Sequence, residues 1–231
     1  MDTRSLIDKL LQSANPQSGS SQGSAAGNGA DLGGFLKGAG GGALAGAAVA
    51  LLLGNKKVRK LGGGALKYGS AAALGAVAYT AYRNWQQANR QTAPQQAPQT
   101  LDRLPAPEAE LHSEAILAAL LGAARADGHI DDRERQLIDE HVAKLTSDPA
   151  LQRWVDAELR KPVDPADIAR HARTPEMGAE MYLASLLLID QESFMERAYL
   201  EELARCLGID DALKAELHAA RNASDPNPVR A

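Results

Sequence analysis

A short polar turn separates two apolar helical patterns at Ala124-Arg-Ala-Asp-Gly-His-Ile-Asp-Asp-Arg-Glu-Arg135. On both sides of this turn, apolar side chains recur at intervals of three and four residues, the spacing of α-helices that bury one face. They are Ile116, Leu117, Leu120 and Leu121 before the turn and Leu137, Ile138, Val142 and Leu145 after it. The pattern predicts a helix, a turn and a second helix.

A second segment of the same organisation lies further along the chain, at Leu188-Ile-Asp-Gln-Glu-Ser-Phe-Met-Glu-Arg-Ala-Tyr-Leu200. Each copy has an apolar helix that ends near an aspartate, a short polar break, and a Glu-Arg pair early in the next helix. Asp127 precedes Glu134 by seven residues, and Asp190 precedes Glu196 by six. We interpret the two copies as a duplicated helix–turn–helix packed about a pseudo-twofold axis.

Proline and capping residues mark further helix boundaries over residues 108–222. A proline follows a capping side chain at Asp148-Pro149, Asp164-Pro165 and Thr174-Pro175, which places it in the first turn of a helix. Gly208 is expected to end one helix and Asp210 to cap the last. No window alternates like a β-strand. We therefore predict an all-α bundle over 108–222, followed by a disordered tail at 223–231.

The two acidic turns, with their Glu-Arg pairs, resemble those of the TerB-like family, which is named for tellurite resistance. The whole layout, an apolar glycine-rich half joined to that domain, is similar to YebE-type bacterial inner-membrane proteins of unknown function. The resemblance covers most of the chain. It implies an all-helical domain without enzymatic activity, in which the acidic residues have been proposed as a metal site.

The acidic turns supply a candidate metal site. Its residues are Asp127, Asp131, Glu134, Asp190 and Glu196. Carboxylate oxygens are the ligands that calcium and magnesium use in proteins. The first turn does not fit an EF-hand, because the sixth position from Asp127 is Asp132 and the twelfth is Ile138. The alternative is that these carboxylates cap helices, complement the helix dipole and form ion pairs with arginine.

The N-terminal half is rich in glycine at a regular spacing. Small residues recur every four positions at Gly34, Gly38, Gly42, Gly46, Ala50 and Gly54. Such a ladder lets helices approach closely in a bilayer and favours helix packing or homo-oligomer formation there. Residues 38–54 are 17 uncharged residues followed by Asn55-Lys-Lys-Val-Arg-Lys60, close to the minimum length of a membrane span. The alternative is a Gly/Ala-rich linker without membrane contact.

A second weakly polar stretch, residues 61–82, makes the number of membrane spans ambiguous. We expect either one span or a helical hairpin within 34–82, flanked by Tyr82 and Trp85 as aromatic anchors at the headgroups. The rest of this half divides into a short amphipathic helix at 1–14, a flexible linker at 15–33 and a Gln/Pro-rich linker at 83–107. The compartment that holds the acidic domain stays undecided, because it depends on the number of spans.

Composition excludes several classes of protein. Residues 1–106 carry 11 basic and 4 acidic residues, a charge of +7, whereas residues 107–231 carry 14 and 25, a charge of −11. The single cysteine, Cys206, excludes an internal disulfide and is read as a small core residue. The basic half lacks interleaved aromatic residues, so nucleic acid is not expected as a partner. The five histidines are read as surface residues.

Three functions are compatible with these patterns. The first is a non-enzymatic protein of the bacterial inner membrane whose acidic domain binds a partner protein, with or without a divalent cation, in a stress or envelope response. The second is a soluble or peripheral metal- or oxyanion-response module that oligomerises through its glycine-rich half. The third is a hydrolase that uses the acidic turns. The first is preferred, since it accounts for both halves of the chain and expects lipid as a further partner.

Overall fold

The computed structural model describes residues 2–13, 71–88, 99–126, 132–189 and 194–223. Within these ranges every regular element is an α-helix, which confirms the all-α prediction. The helices are α1 (Thr3–Ser13), α2 (Ala71–Ala88), α3 (Ala106–Ala123), α4 (Asp132–Leu145), α5 (Pro149–Arg160), α6 (Pro165–Ala169), α7 (Pro175–Leu188), α8 (Phe194–Leu207) and α9 (Asp211–Ala223). No helix of the described ranges combines the length and apolar character that a membrane crossing requires.

The predicted glycine ladder lies outside the described residues. This applies to Gly34, Gly38, Gly42, Gly46, Ala50 and Gly54. The division of the chain into an apolar half, two linkers and a C-terminal domain therefore stays a prediction. Two helix bounds bear on it, because α2 extends six residues into the linker expected at 83–107 and α3 begins at Ala106.

Helices α3 and α7 form the centre of the bundle. Each is buried over most of its length, including Ile116 and Leu117 on α3 and Met181 and Tyr182 on α7. They share the most extensive helix–helix interface among the described elements. A helix that is apolar around its whole circumference must be enclosed by others. These are the apolar helices that precede the two acidic turns, so the two copies of the sequence repeat meet at the core.

Helix α1 packs on this bundle although it is distant in sequence. Leu6, Ile7 and Leu10 are buried against α2, α3 and α4. The backbone N–H of Thr3 donates to Oε1 of Glu110 at 2.6 Å. At the other end of the helix, the Lys9 ammonium donates to the carbonyl oxygen of Leu145 at 2.6 Å. Apolar burial and two polar contacts thus attach the N-terminus to the C-terminal half.

Helix α2 also packs on protein, against α7 and α9. Its buried residues are Ala71, Leu74, Gly75, Ala78, Ala81 and Tyr82. The Tyr82 and Trp85 rings lie 5.2 Å apart, and Nε1 of Trp85 donates to Oδ1 of Asp210 at 3.0 Å. The expected role of these aromatic residues at lipid headgroups is therefore wrong in this structure, because the side chains find their apolar and polar partners within the bundle.

The predicted helix caps are confirmed where the structure describes them. Asp148, Asp164 and Thr174 each accept a hydrogen bond from a backbone N–H in the first turn of the following helix. Asp210 does the same for α9, from Leu213 at 2.7 Å. Gly208 ends α8 with φ of +68°, a left-handed conformation that favours glycine. Local chemistry therefore determines these boundaries.

Candidate functional site

The described residues contain only two of the five predicted metal ligands. Asp127, Asp131 and Asp190 lie outside them, whereas Glu134 lies in the first turn of α4 and Glu196 in the first turn of α8. The Glu196 side chain is 6% exposed. Across the described ranges, no three histidine, cysteine or acidic side chains are grouped closely enough to hold a metal ion. The metal site thus stays a hypothesis about the turns themselves.

A buried polar cluster lies instead between α3 and α7. Nδ1 of His112 and Oε2 of Glu180 are 2.5 Å apart, and the two residues are 4% and 0% exposed. The other carboxyl oxygen of Glu180 accepts from the backbone N–H of Leu101 at 2.6 Å. Both oxygens of the carboxyl group are therefore occupied, by the central helix α3 and by the turn that precedes it.

Glycine at position 75 leaves room for this cluster. A Cβ atom there would lie 3.0 Å from the backbone nitrogen of Asp102 and 3.1 Å from Oε1 of Glu180. The small face of α2 thus approaches the turn at 101–102 and the Glu180 carboxyl at the same point. Ala71 and Gly75 lie within the stretch 61–82, where a second membrane segment was considered. In this structure, they are buried in the bundle.

Burial determines the electrostatics of the cluster. It raises the pKa of Glu180 above its ordinary value, and the hydrogen bonds from His112 and Leu101 oppose that increase. Because neither side chain of the His112–Glu180 contact reaches solvent, the pair is inaccessible to a substrate. The arrangement has a structural role, because one carboxyl group connects α3, α7 and the turn at 101–102.

This pair was not predicted from the sequence, and the expectation that His112 lies on the surface is wrong. A signal was present, since Glu180 is the one charged residue in the apolar run from Met177 to Leu188. An acidic residue on a helix that is apolar all round must be buried with a polar partner. His112 lies at a comparable position on α3, but no spacing rule connects the two residues, because they are 68 positions apart.

Arg125, at the start of the first acidic turn, makes structural contacts with α5. The Arg125 guanidinium donates to the carbonyl oxygens of Glu158, at 3.1 Å, and of Lys161. These carbonyls lie at the C-terminal end of α5, where intrahelical donors are lacking. Burial and the nearby positive charge of Arg135 lower the pKa of the Arg125 guanidinium. Arg125 thus fixes α5 beside the end of α3.

The second acidic turn is followed by an exposed apolar pair. Phe194 and Met195, the first residues of α8, are 74% and 58% exposed. Ala198, one helical turn after Phe194, is also exposed. In the described part of the chain, Leu111, at 36%, is the other large hydrophobic residue that reaches the solvent to this degree. An exposed phenylalanine and methionine side by side are typical of contact surfaces.

Two other candidate groups are partly buried and engaged. Cys206 was expected in the core, but it is half-buried, and its thiol donates to Oε1 of Glu202 at 3.6 Å. Burial raises the pKa of the Cys206 thiol, which makes it a poor nucleophile. His218 is half-buried, with Nε2 at 3.1 Å from the Tyr182 hydroxyl. Neither Cys206 nor His218 is arranged with its neighbours as a catalytic group would be.

Comparison with known proteins gives one family and one relative. The model of a family described as a protein of unknown function, DUF533, matches residues 38–221. A protein of Yersinia enterocolitica named "Uncharacterized protein in ampR 5' region" is 34% identical over 94 residues, which cover 41% of this chain and 68% of that protein. No solved structure matches the chain. The family match spans α2 to α9 and the apolar stretch before them.

Proposed function

We propose that this chain, which belongs to the DUF533 family of proteins of unknown function, is a non-enzymatic protein of the bacterial inner membrane that binds a partner protein. Its helical domain is TerB-like, and its layout is of the YebE type. The apolar stretch at 38–54 attaches it to the bilayer. The acidic domain contacts the partner in a stress or envelope response, through the surface that follows the second acidic turn.

The observation that supports this function most directly is the exposure of Phe194 and Met195. Most large apolar side chains of the described bundle are buried, so these two stand out at 74% and 58%. Aromatic and methionine side chains are enriched in protein interfaces, and a few well-packed side chains usually supply most of the binding energy. Phe194 and Met195 lie at the start of α8, directly after the acidic turn predicted around Asp190.

Charge indicates the chemistry of the partner. Residues 107–231 carry 14 basic and 25 acidic residues, a charge of −11. Close to the exposed pair, α8 exposes Arg197 and also Glu201, which forms an ion pair with Lys214 at 2.9 Å, so the acidic character belongs to the domain as a whole. Complementary charge increases the rate of association and selects partners. The expected partner is therefore a protein with an apolar pocket in a basic surface.

A binding role also accounts for the buried acid. The His112–Glu180 contact is closed to solvent and connects central helices, so it serves a rigid scaffold better than a reaction. A rigid helix that presents two apolar side chains keeps the entropic cost of binding low. We therefore assign the buried His112–Glu180 contact to stability and the exposed end of α8 to recognition.

Site-specific photocrosslinking in the native bacterium tests the proposal. Benzoylphenylalanine replaces Phe194, whose shape it preserves, and in a control it replaces Arg153, an exposed residue of α5. The proposal predicts an ultraviolet-dependent adduct of defined mass at position 194 that is absent at position 153. It also predicts loss of that adduct when Met195→Asp is added. Equal adducts at both positions, or none at 194, would contradict it.

A further inference from the structure

The methionines of the described bundle differ sharply in exposure. Met177 and Met181 lie in the central helix α7 and are 2% and 0% exposed, whereas Met195, in the first turn of α8, is 58% exposed. An oxidant dissolved in water reaches a thioether only where the side chain meets the solvent, and it converts the thioether to a sulfoxide. Among the described residues, Met195 is therefore the methionine that is open to oxidation.

The thiol of Cys206 competes poorly for the same oxidant. Oxidants react with the thiolate form of a cysteine. The Cys206 side chain is half-buried, its thiol donates to Oε1 of Glu202 at 3.6 Å, and burial raises the pKa of the thiol. Little thiolate is therefore present near neutral pH, whereas the thioether of Met195 needs no deprotonation to react. Exposure and ionisation both favour Met195 as the reactive sulfur.

Oxidation of Met195 changes the surface that the proposed partner contacts. An electron pair of the thioether sulfur attacks the terminal oxygen of a hydroperoxide, so that a sulfur–oxygen bond forms and the oxygen–oxygen bond breaks. The proton of the transferred oxygen moves to the leaving oxygen, which departs as water or an alcohol, and the sulfur is oxidised to the sulfoxide. A polar side chain then lies beside Phe194, and its oxygen is unfavourable in an apolar pocket that offers no hydrogen-bond donor.

We propose that Met195 is an oxidation site that regulates the contact surface at the start of α8: the thioether permits binding of the partner protein, and the sulfoxide prevents it. The oxidant is a hydroperoxide, and methionine sulfoxide reductases reverse the modification. Binding and oxidation oppose each other reciprocally, because a bound partner covers the sulfur. This inference rests on the proposed function, since it assigns a regulation to the same Phe194–Met195 surface.

Mass spectrometry of the purified full chain tests the modification itself. The chain carries Cys206→Ser, so that the thiol consumes no oxidant, and it is treated with hydrogen peroxide. Trypsin releases residues 174–197 as one peptide, and fragmentation of that peptide assigns each added oxygen to a residue. We expect oxygen at Met195 before Met177 or Met181 in the folded chain, and equal oxidation of the three in urea. Equal oxidation in the folded chain overturns the inference.

Photocrosslinking from position 194 tests the effect of oxidation on binding. Benzoylphenylalanine at Phe194 is combined with the native Met195, with Met195→Leu or with Met195→Gln, and the adduct yield of each chain is compared with and without hydrogen peroxide before irradiation. We expect peroxide to lower the yield about tenfold with Met195, the scale of one unpaired polar group in an apolar contact. The yield of Met195→Leu, whatever its starting value, should not respond to peroxide. Met195→Gln, which imitates the polarity of the sulfoxide, should give a low yield without peroxide.

Three results of this crosslinking experiment overturn the inference. The adduct persists in a chain whose Met195 is oxidised, peroxide lowers the yield of Met195→Leu to the same extent, or Met195→Gln gives the full yield. An adduct that is absent before peroxide, with the native Met195, contradicts the proposed function, and the regulation that rests on it fails with it. The yield before peroxide therefore separates a failure of the proposed function from a failure of the inference alone.

Discussion

His112 and Glu180 form a contact of 2.5 Å between the two central helices, and neither side chain reaches the solvent. Helices α3 and α7 are joined mainly by apolar packing, which is not directional, and by one further hydrogen bond, from the Ser185 hydroxyl to the carbonyl oxygen of Ala119 at 3.3 Å. The carboxyl group adds a directional connection, since its second oxygen accepts from Leu101. Through this residue, the sequence-distant turn at 101–102 is held against the core.

Removal of the Glu180 carboxyl is expected to destabilise the fold strongly. Glu180→Ala leaves the Leu101 N–H and His112 buried without partners and creates a cavity, so we expect a loss of about 2 to 5 kcal/mol in the free energy of unfolding. Glu180→Gln is the matched control, because its amide can still accept from Leu101 and donate to His112. Glu180→Gln should lower the free energy of unfolding by less than half as much as Glu180→Ala does. Urea unfolding measures both, and equal losses would contradict the hydrogen-bonding role.

The buried acid also predicts a pH dependence. Burial raises the pKa of Glu180 above its ordinary value of 4.5, so the folded state favours the protonated form. Stability from this group is present below pH 4.5 and is lost as the pH rises through the folded-state pKa. The stability of the wild type relative to Glu180→Gln should therefore fall as the pH rises above about 4.5. A difference that grows with pH would show that Glu180 is held as the anion.

Two helical glycines should respond to alanine in opposite ways. A Cβ at position 75 would lie 3.0 Å from the Asp102 nitrogen and 3.1 Å from Oε1 of Glu180, whereas at Gly178 the nearest atom is 3.6 Å away. We expect Gly75→Ala to lower the free energy of unfolding by about 1 to 3 kcal/mol. Gly178→Ala should raise it by up to about 1 kcal/mol, through helix propensity. Thermal and urea unfolding of both variants check this, and a stabilising Gly75→Ala would contradict the close approach of α2.

Divalent cations provide a test of the acidic turns. Glu196 is buried in the first turn of α8, and Arg125 of the first turn is bonded to the end of α5. A glutamate in the first turn of a helix complements the helix dipole, so helix stabilisation is the hypothesis that we test against cation binding. We expect the melting temperature to be unchanged by millimolar calcium or magnesium. A rise with cation concentration that disappears in Asp127→Asn and Asp190→Asn would instead establish a divalent site.

Helices and their ends could be predicted from the sequence because they depend on local chemistry. Asp148, Asp164 and Thr174 act on residues two or three positions away. The Glu180–His112 contact and the docking of α1 depend on residues far apart in sequence, and no local pattern encodes them. The exposure of Phe194 was also beyond prediction, since an apolar residue in a helical pattern is normally assigned to the core.

The dependence on contacts between distant residues also explains why the segment that forms α2 was interpreted as part of a membrane segment. The alanine-rich segment at 71–82 is as suitable for packing on a bundle as for packing in lipid, because both environments favour small and apolar side chains. Composition alone could not separate the two. The contacts of Trp85 with Asp210 and of Asp8 with Ala71 separate them, and both involve residues from distant parts of the chain.

Residues 38–54 are proposed to attach this chain to the bilayer, and alkaline carbonate extraction of bacterial membranes tests that attachment. Peripheral proteins that are held by charge dissociate under these conditions, whereas inserted apolar segments stay with the lipid. The control is a variant that lacks 38–54 and retains the described helices. We expect the full chain to stay in the membrane pellet and the deletion variant to appear in the supernatant. Release of the full chain into the supernatant would show that 38–54 does not insert into the lipid.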